Sequence, residues 1–222
     1  MNKAINVLLV FLLFPTMLFT IFVGFNLPIE SLRTSGQQVP FRFQIFLGIG
    51  LLLLIINLRR SITRWMGLRL VNQVSKFKWN QPMSMDRIYR VQVYTMLEAV
   101  VMLFVGSVLY AVCNEALLPA IAFWFCFVDN LIFLFFGSRK KRFRMGITSK
   151  AVVAADSDVS VLYFSGLRKV SIHQQSIYFD YIKGLQLSFP IDCMEKDQHD
   201  VFFNVLEEQV DTEKVFITKL RN

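Results

Sequence analysis

The sequence is poor in the residue types that build most metal sites and disulfide frameworks. It has three cysteines and two histidines among 222 residues. The cysteines Cys113, Cys126 and Cys193 form no CxxC pair and lie in separate segments, which argues against a disulfide framework or a zinc site. His173 and His199 have no cysteine or carboxylate at ligand spacing. We therefore predict no metal and no cofactor.

The motifs of nucleotide-binding and hydrolytic enzymes are also missing. The ten glycines form no Gly-rich phosphate loop. The pairs Ser35-Gly36 and Ser165-Gly166 are typical of turns and lack the G-x-S-x-G pattern of a nucleophile elbow. Because no catalytic constellation is present, we predict that the protein is not an enzyme.

Charged residues are scarce in four long apolar runs. Only 18% of the residues are charged, whereas 55% are hydrophobic. A helix needs about 20 apolar residues to cross a hydrocarbon core of about 30 Å. The shortest run is shorter than this, but Arg42 and Arg59 at its ends can reach the two lipid surfaces. We predict a four-helix transmembrane domain over residues 1–138, with spans at 4–25, 43–58, 91–112 and 117–137.

The first run follows Lys3 and so resembles the start of a signal peptide. Its apolar part is longer than a usual signal-peptide core, and no small-x-small cleavage site follows closely. We therefore expect this run to be retained as the first span.

Basic residues divide the loops into two classes. The linker 59–90 carries eight Lys and Arg residues and the segment 139–150 carries six, whereas the loop 26–42 has two and the turn 113–116 has none. Loops rich in Lys and Arg stay on the cytoplasmic side. We therefore predict a multi-pass membrane protein with both termini in the cytoplasm.

The net charge of +8 does not indicate a nucleic-acid partner. Residues 1–150 carry 17 basic and 5 acidic side chains, or +12, whereas residues 151–222 carry 7 and 11, or −4. The basic charge thus belongs to the membrane part, where it is expected to meet anionic lipid headgroups. The expected surface contacts are Arg64, Arg69, Lys76, Lys78, Arg139, Lys140, Lys141, Arg142 and Arg144.

The linker 59–90 has two readings that the sequence leaves open. Apolar residues recur at helical spacing from Ile62 to Phe77, with basic residues between them. This pattern is typical of an amphipathic helix on the lipid surface. It is equally typical of a cytoplasmic extension of the second span that packs on the C-terminal domain.

Two acidic residues lie within predicted spans. A charge in the hydrocarbon core is costly, so Glu98 and Asp129 should face the interior of the helix bundle, near Asn130. They can form a proton- or cation-responsive site, or a structural clamp between the third and fourth spans. No Lys or Arg lies inside a predicted span to pair with them. This absence weakens the hypothesis that the protein is a transporter with a fixed ion pair.

The pattern changes after Ile147 from long apolar runs to short β-rich segments. Segments 151–155, 159–164, 168–172, 177–181 and 185–189 are rich in β-branched and aromatic residues and are separated by turn residues. Asp197 is a candidate N-cap for a helix through Gln209 that carries the stripe Val201, Phe202, Val205, Leu206 and Val210. We predict an antiparallel curved sheet closed by one C-terminal helix, an α+β domain over residues 139–222.

The segments Leu167–Ile172, Ile177–Tyr181 and Leu185–Ile191, with the helix that carries Phe202 and Leu206, resemble the end of a bacterial PH-like domain. The step Phe189-Pro190-Ile191 is similar to the end of the last strand in membrane proteins of the YcxB-like type. The resemblance covers roughly residues 145–210. It implies a bacterial inner-membrane protein with a PH-like domain on the cytoplasmic side. This chain departs from the family in having four spans where two are common. No binding residue follows from it.

Two functions fit these observations. The first is a non-enzymatic membrane protein whose PH-like domain binds a protein partner or the membrane surface. The second is a small transport or channel component that uses Glu98 and Asp129.

Overall fold

The structure is a computed structural model that describes residues 2–29, 34–139, 141–211 and 213–218. The chain divides into two compact units. The first unit comprises Met1–Thr63 and Tyr94–Leu134, and the second comprises Arg64–Val93 and Phe135–Asn222. The three boundaries between the units along the chain each fall within a long helix.

Four long helices account for most of the first half of the chain. They are α1 Asn2–Gly24, α2 Arg42–Val71, α3 Met85–Val112 and α4 Leu117–Arg139. Each is long and apolar enough to cross a membrane, which confirms the four predicted helices.

The second helix is longer than its predicted span. Helix α2 continues beyond residue 58 to Val71, a total of 30 residues or about 45 Å. The sequence from Arg59 to Val71 contains no proline, and its apolar residues keep helical spacing, so nothing ends the helix at the edge of the apolar run. The linker 59–90 is therefore a helical extension, a short turn, a strand and the start of α3.

The core of the first unit contains large side chains packed against small ones. Phe46, Leu53 and Phe123 are buried with Ala116 and Ala120. Of the two glycines in the second span, Gly50 lies against α4, where an added Cβ would approach Leu118 to 2.7 Å, whereas Gly48 faces open space. Of the two, only Gly50 therefore permits a close approach between helices.

The outer surface of this unit is strongly apolar. Phe11, Phe14, Ile55 and Phe104 are each exposed over 64% or more of their surface. A short antiparallel pair, β1 Pro28–Ile29 and β2 Thr34–Ser35, follows α1. Glu30 and Arg33 of this loop lie outside the described residues.

The second unit contains two four-stranded sheets. The first sheet has the antiparallel order β3-β4-β5-β6. The second has the order β10-β7-β8-β9, in which β10 pairs parallel with β7. The strands are β3 Trp79–Pro82, β4 Arg144–Ile147, β5 Ala151–Ala155, β6 Val159–Tyr163, β7 Leu167–His173, β8 Ser176–Tyr181, β9 Gln186–Pro190 and β10 Phe216–Ile217. The predicted strands are present, but they form two sheets, not one curved sheet.

Strand β3 comes from the linker that precedes α3 and was not predicted. Trp79 pairs with Ile147 and Pro82 pairs with Arg144, so the hairpin of α3 and α4 is inserted between two neighbouring strands. The second unit is therefore discontinuous in sequence and does not coincide with residues 139–222.

The C-terminal helix α5 spans His199–Gln209 and buries Phe202 and Leu206 of the predicted stripe, whereas Val201 is 44% exposed. The Phe202 ring lies 5.4 Å from the Trp79 ring and 5.9 Å from the Phe189 ring, measured between centroids. The predicted N-cap Asp197 is wrong, because a turn of 3-10 helix precedes α5 and Gln198 occupies the cap position without a side-chain bond.

Candidate functional site

The acidic residues of the third and fourth spans are bonded to neighbouring residues of α2. The Arg60 guanidinium donates two hydrogen bonds to the Glu98 carboxylate, at 2.5 Å from Nη1 to Oε1 and 2.9 Å from Nη2 to Oε2. The next residue, Ser61, donates from Oγ to Oδ1 of Asp129 at 2.8 Å. Each acid therefore has its own partner, and the expectation that no arginine within a span pairs with them is wrong.

Two amides complete this polar row. Asn57, one turn before Ser61 on α2, donates from Nδ2 to the Ala122 carbonyl of α4 at 3.0 Å. Asn130 is fully buried, beside Asp129 in the chain. The hydrogen bonds fix α2 against both α3 and α4, as expected for polar residues inside a helix bundle. This geometry favours the structural clamp, although it joins three helices and not two.

A second ion pair lies at the other end of α2. Arg42 Nε is 2.8 Å from Oε1 of Glu115, in the turn between α3 and α4. Arg42 and Arg60 are 18 residues apart on one helix, which corresponds to about 27 Å. The separation of the two ion pairs along α2 is thus close to the thickness of a hydrocarbon core.

The basic residues predicted at the lipid surface differ in exposure. Arg69, Lys76, Lys78, Arg139 and Lys141 are exposed. Arg142 and Arg144 are half-buried, and Arg144 donates from Nε to Oδ1 of Asn80 at 2.5 Å. Lys140 lies outside the described residues.

Arg64 is the exception among these basic residues, because only 2% of its surface is exposed. A side chain enclosed by protein has no access to lipid headgroups, so the prediction for Arg64 is wrong. Its position on the extension of α2 also explains the error, since the amphipathic pattern arises from packing within the second unit and not from a lipid surface.

An open cleft of about 430 Å³ lies in the described part of the second unit. Four chain segments line it: the start of α3, the β7–β8 turn, the segment between β9 and α5, and the start of α5. The lining includes both charge signs and three apolar residues. Its members are Ser84, Met85, Asp86, Arg90, Gln175, Ile191, Asp192, Met194, Glu195, Lys196 and His199.

Hydrogen bonds and ion pairs hold one wall of this cleft. Ser84 caps α3 by accepting the Arg87 backbone N–H at 3.2 Å, and its hydroxyl donates to the Asp192 carbonyl. Arg90 Nη1 lies 2.7 Å from Oδ2 of Asp192. Arg87 donates to Oδ2 of Asp156 at 2.6 and 2.9 Å from Nη2 and Nε. The wall is therefore fixed before any ligand binds.

Three further polar side chains line the cleft, those of His199, Gln175 and Lys196. Nε2 of His199 is buried and accepts or donates no hydrogen bond within the described residues. Gln175 and Lys196 are exposed at its rim. Fixed walls with convergent polar groups are typical of binding sites, and the volume lies in the usual range of about 300–1,000 Å³.

Cys193, between the lining residues Asp192 and Met194 in the chain, is not an activated nucleophile. Burial raises the pKa of the Cys193 thiol to about 12, with a further rise from Asp156 and Asp192 that Arg87 opposes. A thiol with that pKa is protonated at neutral pH and is a poor nucleophile. Among the residues that the structure describes, no three His, Cys, Asp or Glu side chains are grouped to hold a metal ion.

Two features of the sequence point to these sites. Arg60 and Ser61 follow the assigned end of the second span by only two and three residues, and continuing α2 by one turn brings them beside the acids. Arg87 and Arg90 form an i, i+3 pair after the cap residue Ser84, which indicates one helical face. The cleft itself has no local signal, because its lining comes from distant segments.

No family model, no curated protein and no solved structure matches this chain.

Proposed function

We propose that this chain is a non-enzymatic, multi-pass membrane protein whose second unit is a cytoplasmic, PH-like binding module for a segment of a protein partner. The observation that carries this proposal is the preformed cleft of about 430 Å³, with polar groups from four chain segments. A membrane anchor and a ligand-sized cleft without a nucleophile together favour binding over catalysis.

The case for membrane insertion is the outer surface of the helices. Phe11, Phe14 and Phe104 are exposed by more than 64% each, and such a continuous apolar surface is expected to be covered by lipid. The Arg42–Glu115 pair supports the predicted topology, in which the loop before α2 and the α3–α4 turn lie on the same side of the membrane. The pair holds both at one end of the bundle. The basic segments follow α2 and α4 in the chain, so the positive-inside rule favours cytoplasmic termini.

The PH-like assignment is supported by architecture and by the resemblance noted above. Two antiparallel-rich sheets are followed by a C-terminal helix whose Phe202 and Leu206 are buried. The hairpin β8–β9 turns at Lys183 and Gly184, which both have positive φ, as in tight hairpin turns. The insertion of two helices between β3 and β4 is the main departure from a contiguous domain.

The chemistry of the cleft favours a peptide segment. Asp86, Glu195 and Asp192 provide negative charge, whereas Arg90, Lys196 and His199 provide positive charge or donors, and methionines and Ile191 provide apolar contact. A mixed lining of this kind fits a polypeptide with side chains of both signs better than a phosphate-rich ligand, which would require an excess of basic residues.

The proposal is tested by site-specific photocrosslinking in cells. A photoreactive amino acid at Gln175, on the rim of the cleft, is expected to form a discrete adduct with one protein. The matched control is Ser160 on β6, which is also exposed but does not line the cleft. The adduct should be lost in the His199→Ala and Lys196→Glu variants, and the identified partner should bind the purified full chain with the same sensitivity to both changes.

Equal adducts at Gln175 and Ser160, or adducts that survive both cleft variants, would contradict the proposed site. A discrete lipid adduct at Gln175 in place of a protein adduct would favour the membrane-surface form of the binding hypothesis.

A transport or channel role for Glu98 and Asp129 is the second candidate. The polar row in the helices is the observation that favours it, but each acid is already bonded to α2, as a structural clamp requires. The double change Glu98→Gln and Asp129→Asn distinguishes the two. A variant that folds and retains cellular function, while the cleft variants lose it, would eliminate the transport role.

A further inference from the structure

A cleft of about 190 Å³ opens on the helices of the first unit. Leu9 and Leu13 of α1, Met102 of α3 and Phe123 of α4 form its apolar wall, and the Arg60–Glu98 pair forms its polar end. It is smaller than a typical small-molecule pocket and has room for part of one elongated ligand.

The cleft is polar at one end and apolar at the other. Glu98 and Met102 are one turn apart on the same face of α3, as are Leu9 and Leu13 on α1. Helices α1 and α3 run in the same direction, because an added Cβ on Gly24, at the end of α1, would meet Val112, at the end of α3. The apolar wall therefore extends from Glu98 towards the end of the bundle that holds the Arg42–Glu115 pair.

This direction matches that of a lipid in one leaflet. The Arg60–Glu98 pair lies about 27 Å from the Arg42–Glu115 pair along α2, so the two pairs lie towards opposite faces of a hydrocarbon core. A lipid of the leaflet nearer to Glu98 has its headgroup at that face and its chains pointing towards the bilayer centre. That leaflet is the cytoplasmic one in the proposed topology, on which this inference rests.

The ion pair determines which headgroup fits. Both terminal nitrogens of Arg60 bond to Glu98, and the Arg60 side chain is only 10% exposed, whereas that of Glu98 is 29% exposed. The group that meets a ligand is thus the carboxylate. A headgroup that donates hydrogen bonds and carries positive charge is preferred over an anionic one.

We propose that this cleft binds one lipid of the leaflet nearer to Glu98, whose primary ammonium headgroup donates to the Glu98 carboxylate and whose acyl chain lies along Leu13, Met102 and Phe123. Phosphatidylethanolamine carries such an ammonium. Phosphatidylcholine has the same charge but no N–H to donate, so it provides a matched ligand control.

The experiment measures lipid occupancy on the purified full chain by native mass spectrometry, after delipidation and addition of one lipid at equal concentrations. The wild-type chain is expected to retain one phosphatidylethanolamine with about tenfold greater affinity than phosphatidylcholine, the factor that a difference of about 1.4 kcal/mol produces. The Glu98→Gln variant should lose this preference.

Two further variants separate a bound lipid from a general loss of structure. Glu115→Gln breaks the other ion pair, whose acid has a similar side-chain exposure of 30%, and should keep the preference. Met102→Trp fills the apolar part of the cleft, leaves both ion pairs intact, and should lower the occupancy of every lipid.

Equal binding of the two lipids by the wild-type chain would overturn the proposal, as would equal loss of the preference in the Glu98→Gln and Glu115→Gln variants. A stronger retention of phosphatidylglycerol than of phosphatidylethanolamine would also overturn it, because the ligand would then be selected by negative charge. None of these outcomes bears on the photocrosslinking result at Gln175, so failure of the two proposals is distinguishable.

Discussion

Arg60 and Glu98 form a two-pronged ion pair between α2 and α3, with N–O distances of 2.5 and 2.9 Å. The guanidinium is 10% exposed, so removing the carboxylate leaves a charge without its partner in an apolar setting. We expect Glu98→Gln to lower the free energy of unfolding by about 3 kcal/mol, as for other buried pairs that lose one member. Glu115→Gln, in a more exposed pair, should cost about 1 kcal/mol or less.

The measurement is thermal unfolding of the purified variants in one detergent. The double variant Arg60→Met and Glu98→Leu is the key control, because replacing both charges by apolar groups of similar size is often close to neutral. If the double variant is as unstable as Glu98→Gln alone, packing and not the unpaired charge would be the cause.

The second prediction concerns the discontinuity of the second unit. A fragment of residues 139–222 lacks β3, which leaves an edge of the first sheet unpaired and removes the Trp79 ring from Phe202. We expect this fragment to fold poorly, contrary to what the sequence pattern indicates. Joining residues 77–84 to its N-terminus through a Gly-Ser linker should restore a cooperative thermal transition.

Circular dichroism and proton NMR dispersion report the result. The same joined fragment with Trp79→Ala is the control for packing, because it keeps the backbone of β3. A cooperative transition in the fragment without β3 would show that the strand is dispensable.

The third prediction concerns the core beneath α5. Phe202 is fully buried between Trp79, Phe189 and Phe203. Phe202→Ala is expected to cost about 3–5 kcal/mol in the joined fragment, since it leaves a large cavity. Val201→Ala is the matched control, because Val201 is 44% exposed on the same helix. Equal shifts of the melting temperature in the two variants would show that the helix does not pack through Phe202.

These predictions indicate which parts of the molecule a sequence can reveal. The helices α1 to α4 and the stripe Phe202, Val205 and Leu206 are local patterns, so composition and period predicted them. Strand β3 has four residues, includes Pro82, and pairs with residues 62–68 positions later in the chain, so no local pattern marks it. The same holds for the Arg60–Glu98 pair, which joins residues 38 positions apart. The basic pattern around Arg64 was misleading because buried and lipid-facing helices share one period.

The fourth prediction concerns Cys193. Its pKa is raised from an ordinary 9.0 to about 12 chiefly by burial, so the folded state holds its proton more tightly than the unfolded state. The thiol therefore contributes stability that is fully present below pH 9 and is lost as the pH rises towards 12. Alkylation by iodoacetamide should stay slow from pH 7 to 9 and should become fast only when the chain is unfolded. Fast labelling of the folded chain at pH 8 would contradict the burial of this thiol.

Cys193→Ala provides the control for the stability measurement. Because an alanine cannot titrate, this variant should show a smaller fall in melting temperature between pH 9 and pH 10.5 than the wild-type chain. Cys113 and Cys126 are also buried and form no disulfide, so the labelled position must be identified by peptide mapping.

The last prediction concerns orientation in the membrane. Ser35, before α2, lies at the end of the bundle that holds the Arg42–Glu115 pair, whereas Ser75 follows α2 at its other end. Because Lys76, Lys78 and Lys141 are exposed near the latter, the positive-inside rule predicts that Ser75→Cys is cytoplasmic and Ser35→Cys is external. In intact cells, a membrane-impermeant maleimide should label only Ser35→Cys, and permeabilisation should add Ser75→Cys.

Replacing the exposed Arg69, Lys76, Lys78, Arg139 and Lys141 by Gln should invert the orientation of a fraction of the molecules, since these side chains supply the bias towards the cytoplasmic side. Labelling of Ser75→Cys alone in intact cells would reverse the proposed topology, and with it the leaflet assigned to the lipid that meets Glu98.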